Sequence, residues 1–181
     1  MAHEHILLTT YTQMLQALFK WLGKAGDENG ILSAQLAPDM FPLTTQIRFS
    51  CLQVYEGVAR LRGEEFPPVW HTLLEEGRNG GDNPGSINDA QLRINETIAF
   101  LGTIEPSELD SGIDLEIELE LPDGRIFDMI GEQYIRDWAI PQFYFHIMTA
   151  YSILRSKGIE LGKADYVEHA FVYLRQSLPS Q

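Results

Sequence analysis

Apolar side chains recur at the spacing of an α-helix in four long segments of the chain. Within these segments they fall at intervals of three and four residues, which places them on a common helical face. Helices of this length have enough apolar surface to cover one another, and most helical stability comes from such packing. We expect the four helices at about residues 6–25, 40–62, 87–103 and 131–158.

The fourth segment is the most apolar, and the rest of the chain is expected to pack around it. Its buried stripe consists of Phe143, Ile147, Ala150 and Leu154. Pro141 removes one backbone donor, so it either kinks the helix or marks its true start. Gly158 suits the left-handed residue that closes a helix. A short C-terminal amphipathic helix is expected to follow, from Asp165 to about Leu174.

Strict alternation of apolar and acidic residues before the fourth helix predicts a β-hairpin over residues 113–130. The first strand ends near residue 121, and Pro122 and Gly124 favour the turn. One face is apolar and is expected to pack on the helices. The other face carries four carboxylates, those of Asp114, Glu116, Glu118 and Glu120. We interpret that acidic face as solvated rather than as a calcium site, because alternate strand residues lie about 7 Å apart and no loop surrounds an ion.

Glycine, proline and capping residues predict where the helices begin and end. Asp39 is expected to cap the second helix, and Ser86 with Asp89 forms a capping-box pattern before the third. Residues 63–85 are rich in glycine and proline. We predict that they form an irregular excursion with one short helical piece around Trp70.

The composition restricts the class of protein further. A chain of 181 residues fits one domain spanning residues 1–181. Its formal net charge of -13 opposes binding to nucleic acid and to anionic membranes. It has neither a membrane-spanning apolar run nor a signal-peptide pattern. The single cysteine, Cys51, excludes an internal disulfide and is expected to be a buried, inert thiol. We therefore expect an acidic cytoplasmic protein.

Four stretches in chain order carry a resemblance to a known family. They are LAPDMFPLTTQI at 36–47, RINETIAFL at 93–101, the Gly-Glu-x-Tyr pattern at 131–134, and PQFYFHIMTAYSILRSKGIELGKADY at 141–166. Together they resemble a family of uncharacterised bacterial and fungal proteins grouped with the DinB/YfiT-like helical bundles. The resemblance implies a mainly α fold, an antiparallel up-and-down four-helix bundle with a β-hairpin before the fourth long helix and a short C-terminal helix. It also implies a homodimer.

The resemblance further implies a metal site, which this sequence does not reproduce. Many members of the wider superfamily hold a divalent metal with one histidine from the second helix and two from the fourth, at H-x-x-x-H spacing. Here His146 is followed four residues later by Ala150, and residues 44–62 contain no histidine. We expect no cofactor. His146 is the candidate ligand that remains for a metal such as zinc or nickel, and His3, His5 or carboxylates could in principle converge on it.

Four side chains on the fourth helix are candidates for ligand binding: His146, Tyr144, Tyr151 and Arg155. His146 is interpreted either as a neutral imidazole bonded inside the core or as a group that binds a ligand or transfers a proton in a pocket. The other three share a helical stripe with Met148. That stripe is typical of packing between helices, but it would also suit a pocket wall whose arginine holds an anion.

Two functions are compatible with these observations. The first is a helical-bundle module without metal that binds a small ligand or takes part in protein interactions. The alternative is a metal-dependent or thiol-dependent transferase with a pocket around His146, which depends on analogy at the level of the fold. The metal content of the protein and the surroundings of His146 distinguish the two.

Overall fold

The computed structural model describes residues 6–26 and 30–175, which are mainly helical and include one two-stranded antiparallel sheet. In chain order the elements are α1 (Ile6–Ala25), α2 (Leu43–Arg62), α3 (Pro68–Arg78), α4 (Ile87–Leu101), α5 (Pro106–Asp110), β1 (Glu116–Glu120), β2 (Ile126–Ile130), α6 (Gly131–Tyr134), α7 (Ile140–Ser156) and α8 (Lys163–Tyr166). Two 3-10 turns (Ile31–Ser33 and Glu168–Tyr173) and one π-helical turn (Ile135–Ala139) also occur. None of the described helices is long and apolar enough to cross a membrane.

The four long helices α1, α2, α4 and α7 are those predicted, and they share one core. Helix α1 packs on α4 and α7, and α2 packs on the same two helices. The predicted stripe of α7 is completely buried at Phe143, Ile147, Ala150 and Leu154. Each large apolar side chain buried in this way contributes roughly 1.5–3 kcal/mol to stability. The helical spacing in the sequence therefore located the core.

Helix α7 begins just before Pro141, directly after the π-helical turn. Because proline has no N–H, it fits the first turn of a helix and not its interior. The five-residue turn before it connects α6 to α7 without a break in the helical path, as local π segments often do. At the other end, Gly158 has φ of 87° and closes the helix as predicted.

The predicted hairpin forms, with slightly shorter strands than the alternation suggested. Glu118 pairs with Asp128 at the centre of an antiparallel register. Ile117 and Leu119 are buried, whereas the acidic residues of β1 are exposed. The apolar face of β1 therefore lies on the helices, and the carboxylates face solvent.

One of the two predicted helix caps is present. Ser86 and Asp89 form the capping box of α4, with Ser86 N donating to Asp89 Oδ2 at 2.9 Å. The prediction that Asp39 caps α2 is wrong. The first amide of α2, that of Leu43, instead donates to the carbonyl of Ala34 at 2.9 Å. A backbone carbonyl thus satisfies the donor for which a capping side chain was expected.

The excursion at residues 63–85 is more ordered than predicted, because it contains the eleven-residue helix α3 packed on α2. Leu73 is buried, and Gly77 lies so close to Phe49 that a Cβ there would be 2.3 Å from the ring. Thr45 Oγ1 donates to the carbonyl of Gly77 at 2.8 Å. The partners that hold α3 are far away in sequence, so the short apolar pattern of this segment alone did not predict an ordered helix of this length.

Glu76 ties α3 to two other helices. Its carboxylate accepts hydrogen bonds from Arg48 Nε of α2, at 3.0 Å, and from Arg93 of α4. Burial alone would raise the pKa of Glu76, but the hydrogen bonds and charges of Arg93 and Arg48 lower it. The carboxylate therefore stays ionised and keeps α3 anchored at neutral pH.

The predicted amphipathic helix over residues 165–174 is wrong in its extent. Only the short α8 is α-helical, and the following 3-10 turn leaves Phe171 and Leu174 exposed. Tyr166 is the residue that packs inward, with its ring stacked 6.4 Å from that of Trp21. Because the apolar residues from Phe171 to Leu174 are exposed, no α-helical face is stabilised there by packing.

Candidate ligand-binding site

A cavity of about 350 Å³ lies between α2, α3, the end of β1 and the start of α7. Its aromatic wall consists of Phe49, Phe66, Trp70 and Trp138. Its polar lining includes Gln53, Glu56, Arg60, Gln142 and His146. Small-molecule sites are typically concave and largely apolar with a few polar groups, and they span about 300–1,000 Å³. Two larger hollows along the hairpin contain neither His146 nor a tryptophan.

His146 faces α2 from the middle of α7, and its ring is held by Gln46. Nδ1 of the imidazole lies 2.9 Å from Gln46 Oε1. Gln46 Nε2 donates to the carbonyl of Phe41 at 3.1 Å, which orients the amide so that its oxygen meets the imidazole. We therefore assign the hydrogen to Nδ1 and the lone pair to Nε2.

Burial determines the charge of this histidine. The His146 residue is only 8% exposed, and burial lowers its pKa to about 4. The imidazole is therefore uncharged at neutral pH, and Nε2 is available as a hydrogen-bond acceptor. The imidazole is hydrogen-bonded inside the protein and also lines the cavity.

Aromatic rings surround the imidazole and the cavity. Phe49 and Phe145 lie edge-on to the His146 ring, with centroids 5.4 and 5.3 Å away. Phe66 stacks on Trp70 at 4.4 Å and 24°. Edge-on and stacked arrangements are the favourable ones for aromatic pairs, so these rings form a wall of defined shape.

Arg60 is the charged group best placed in the cavity wall, but its donors are already engaged. Its Nε donates to Glu56 Oε1 at 2.9 Å, and Nη1 donates to the carbonyl of Glu118 at 3.0 Å. The guanidinium also lies over the ring of Phe66, 5.1 Å from its centroid. This group is a structural bridge between α2, β1 and the aromatic wall.

Two polar atoms of lining residues are buried without a hydrogen-bond partner within the described part of the chain. They are Gln53 Oε1, an acceptor, and Trp70 Nε1, a donor. An unpaired buried polar group costs on the order of 1–3 kcal/mol. Both belong to residues of the cavity wall, but both atoms are closed off from solvent, so a bound molecule would meet them only after a side-chain rotation.

The other three candidate residues lie away from the cavity. Tyr151 meets the ring of Trp21 edge-on at 5.3 Å, and Arg155 donates to the carbonyl of Leu161. Burial, and secondly Tyr166, raises the pKa of Tyr144. These contacts face α1 and α8, so this stripe packs between helices.

The helical geometry explains the separation. At about 100° per residue, Tyr144, Tyr151 and Arg155 project from the side of α7 roughly opposite His146. Of the four candidate residues, the structure places only His146 in the wall of this cavity. That geometry was already available from the sequence.

Neither metal ligands nor a reactive thiol accompany His146 in the described residues. Among residues 6–26 and 30–175, no three His, Cys, Asp or Glu side chains are grouped so that they could hold a metal ion. His3 and His5 lie outside those residues. Cys51 is completely buried, and burial raises its pKa to about 11, so it carries no thiolate at neutral pH.

Most of the cavity was not predicted from the sequence. Gln46, Phe49 and Gln53 were assigned only to the second helix, and Trp70 to a short helical piece. No local signal marks them as a site, because they come from separate elements. The one available indication was the concentration of aromatic residues in segments without another evident role.

Comparisons with known proteins identify the family but no activity. Residues 5–167 match the sequence profile of a family described as a domain of unknown function, DUF1993. A crystal structure described as a DinB family member from Shewanella denitrificans is similar to this chain, with 27% identity and a TM-score of 0.69. The similarity covers 96% of this chain and 92% of that one. No curated protein matches the chain. The chain therefore belongs to the DUF1993 family, whose helical fold resembles that of a DinB family member.

Proposed function

We propose that this protein is a small-molecule-binding module whose ligand occupies the cavity beside His146. The observation that carries the proposal is the cavity itself, an open hollow of about 350 Å³ whose lining includes aromatic side chains from separate elements. One uncharged imidazole with a free Nε2 lies in its wall. An apolar wall with a few oriented polar groups suits an organic ligand better than an ion.

The proposal includes the architecture and the assembly. Residues 1–181 would form one domain, an antiparallel up-and-down bundle of α1, α2, α4 and α7. The mutual contacts of these four helices support that arrangement. The protein would act in the cytoplasm as a homodimer, and exposed apolar side chains such as Phe145 offer a surface for pairing.

The module would work without the three-histidine metal site of the DinB/YfiT-like proteins. Two observations support this part: among residues 6–26 and 30–175 no three His, Cys, Asp or Glu side chains are grouped to hold a metal ion, and position 150, one turn beyond His146, is alanine. Elemental analysis of tag-free protein should find zinc, nickel and iron well below one equivalent per chain. One tightly held equivalent would contradict the proposal and favour the metal-dependent transferase alternative.

Filling the cavity tests the binding role directly. Gln142 is a half-buried lining residue of α7, and Gln142→Phe places a ring at the cavity wall. Gln16→Phe makes the same change at an exposed position of α1. NMR spectra of the wild type with small organic fragments should show shifts at cavity residues. The shifts should vanish in Gln142→Phe and persist in Gln16→Phe. Equal binding to both variants would contradict the proposal.

A further inference from the structure

The charges around the cavity are balanced by the protein itself. Two carboxylates, of Glu56 and Glu120, and two guanidinium groups, of Arg60 and Arg78, belong to the lining. Glu56 and Arg60 pair at 2.9 Å with little exposure, whereas Glu120 and Arg78 are exposed. Exposed charges contribute little because water screens them. The buried part of the wall therefore offers no net charge to a ligand.

A cationic ligand is disfavoured although the whole chain is acidic and the wall is aromatic. Aromatic faces attract organic cations. Here, however, the ring of Phe66 is already occupied by the guanidinium of Arg60, at 5.1 Å. The nearest buried carboxylate, Glu56, is bonded to that same arginine. A buried cation would find neutral acceptors but no unpaired buried carboxylate, so its desolvation would be compensated only in part.

An anionic ligand is disfavoured for a related reason. Arg60 is the buried cation of the wall, and its Nε and Nη1 donate to Glu56 and to the carbonyl of Glu118. A carboxylate is best held by two parallel donors of one guanidinium. Each edge of the Arg60 guanidinium that presents two donors includes Nε or Nη1, so an anion held in this way would compete with Glu56 or with the carbonyl of Glu118.

The free polar atoms of the wall specify a hydrogen-bond donor on the ligand. His146 Nε2 carries a lone pair, because Nδ1 holds the hydrogen that bonds Gln46. Gln53 Oε1 and Trp70 Nε1 also have no partner among the described residues, but both atoms are closed off from solvent, so a ligand would meet them only after these side chains rotate. A ligand with an N–H or O–H group would satisfy the Nε2 acceptor of His146.

We infer that the ligand is an uncharged aromatic molecule with an N–H or O–H donor, of the indole or phenol type. This inference rests on the proposed function and adds the chemical class of the ligand. The stacked rings of Phe66 and Trp70 and the edge-on ring of Phe49 present surfaces that suit a flat ring.

Four matched probes test the class: indole, 1-methylindole, tryptamine and indole-3-acetate. They share one ring system, but the second lacks the donor, the third carries a positive charge and the fourth a negative charge. Calorimetric titration at neutral pH should show that indole binds at least tenfold more tightly than each of the others. Tighter binding of tryptamine or indole-3-acetate would overturn the inference on charge. Equal binding of indole and 1-methylindole would overturn the inference on the donor.

A variant tests whether the N–H of the ligand contacts His146. His146→Leu removes the Nε2 acceptor, so it should weaken the binding of indole at least fivefold and leave the affinity for 1-methylindole unchanged. An equal loss for both probes would mean that the variant alters only the shape of the cavity, which contradicts the contact. If no probe binds the wild type and the fragment screen with Gln142→Phe and Gln16→Phe is also negative, the binding role itself fails. If fragments do bind in that screen but indole does not, only the ligand class fails.

Discussion

At the scale of single residues, one hydrogen bond decides the chemistry of His146. Gln46 accepts from Nδ1 at 2.9 Å, and its own amide is oriented by the carbonyl of Phe41. That chain of contacts leaves Nε2 as the acceptor. Gln53, two turns further along α2, shows the opposite condition, because its buried Oε1 has no partner in the described structure.

These two glutamines form a matched pair of variants. Gln46→Leu leaves the Nδ1 hydrogen of His146 buried without an acceptor, so we expect it to lower the free energy of unfolding by about 1–3 kcal/mol. Gln53→Leu removes an unpaired acceptor and should be neutral or stabilising. Urea denaturation measures both. A loss of the same size in both variants would mean that the contact of Gln46 with His146 is not what stabilises the protein.

The buried imidazole also makes stability depend on pH. Its pKa is about 4 in the folded protein and 6.5 ordinarily, so between these values the unfolded chain binds the additional proton. The stabilisation is therefore complete above pH 6.5 and is lost as the pH falls towards 4. The difference between the two pKa values corresponds to a loss of roughly 3 kcal/mol in the free energy of unfolding.

Comparison of the wild type with His146→Leu isolates this contribution, since both contain the same carboxylates. The difference in unfolding free energy between the two should change by roughly 3 kcal/mol from pH 7 to pH 4. An unchanged difference across that interval would show that the pKa of His146 is not lowered by folding.

At the scale of elements, helix α3 depends on its neighbours. It is short: one proline precedes it, a second is its first residue, and a glycine-rich segment follows it. Contacts with α2 and the bridge from Glu76 to Arg48 and Arg93 hold it in place. Because Trp70 and Leu74 of α3 line the cavity, the position of this helix also sets the shape of the candidate site.

Gly77 is the point of closest approach between α3 and α2. A Cβ at Gly77 would lie 2.3 Å from Phe49 Cε1, so Gly77→Ala must displace a ring of the cavity wall. We expect a loss of about 1–3 kcal/mol in stability and weaker ligand binding. Gly81→Ala is the control, because a Cβ there meets no atom within 4 Å. Denaturation and NMR with fragments measure stability and binding in both variants. Equal stability and equal binding of Gly77→Ala and Gly81→Ala would contradict the expectation.

At the scale of the whole molecule, surface charge and exposed apolar side chains act in opposite directions. The formal net charge of -13 makes two copies repel each other. Exposed side chains such as Phe145, Met148 and Phe171 favour association through buried apolar surface. The balance between the two depends on ionic strength, because salt screens the repulsion and leaves the apolar contribution in place.

Light scattering tests the proposed homodimer. We expect a mass of twice the 20.5 kDa chain, with the dimer favoured further at higher salt. A mass of one chain at every salt concentration would contradict the homodimer, and a dimer that dissociates on adding salt would mean that ion pairs dominate the interface.

Part of the site was predictable, and part was not. The burial of His146 followed from its place on an apolar helix, and the helical angle could have separated it from Tyr144, Tyr151 and Arg155. The cavity could not be predicted, because Phe49, Trp70 and Trp138 become neighbours only after three elements pack together.

The sequence by itself determined the four long helices, the core stripe of α7, the apolar and acidic faces of the hairpin, and the end of α7 at Gly158. Each is a local periodicity or a single-residue backbone preference, so short-range physics suffices. Tertiary structure alone decided that α3 is an ordered helix and that the residues after Tyr166 are exposed. It also decided the tautomer of His146 and the balance of charges in the cavity. These depend on which side chains distant segments place next to one another, and no local pattern encodes that.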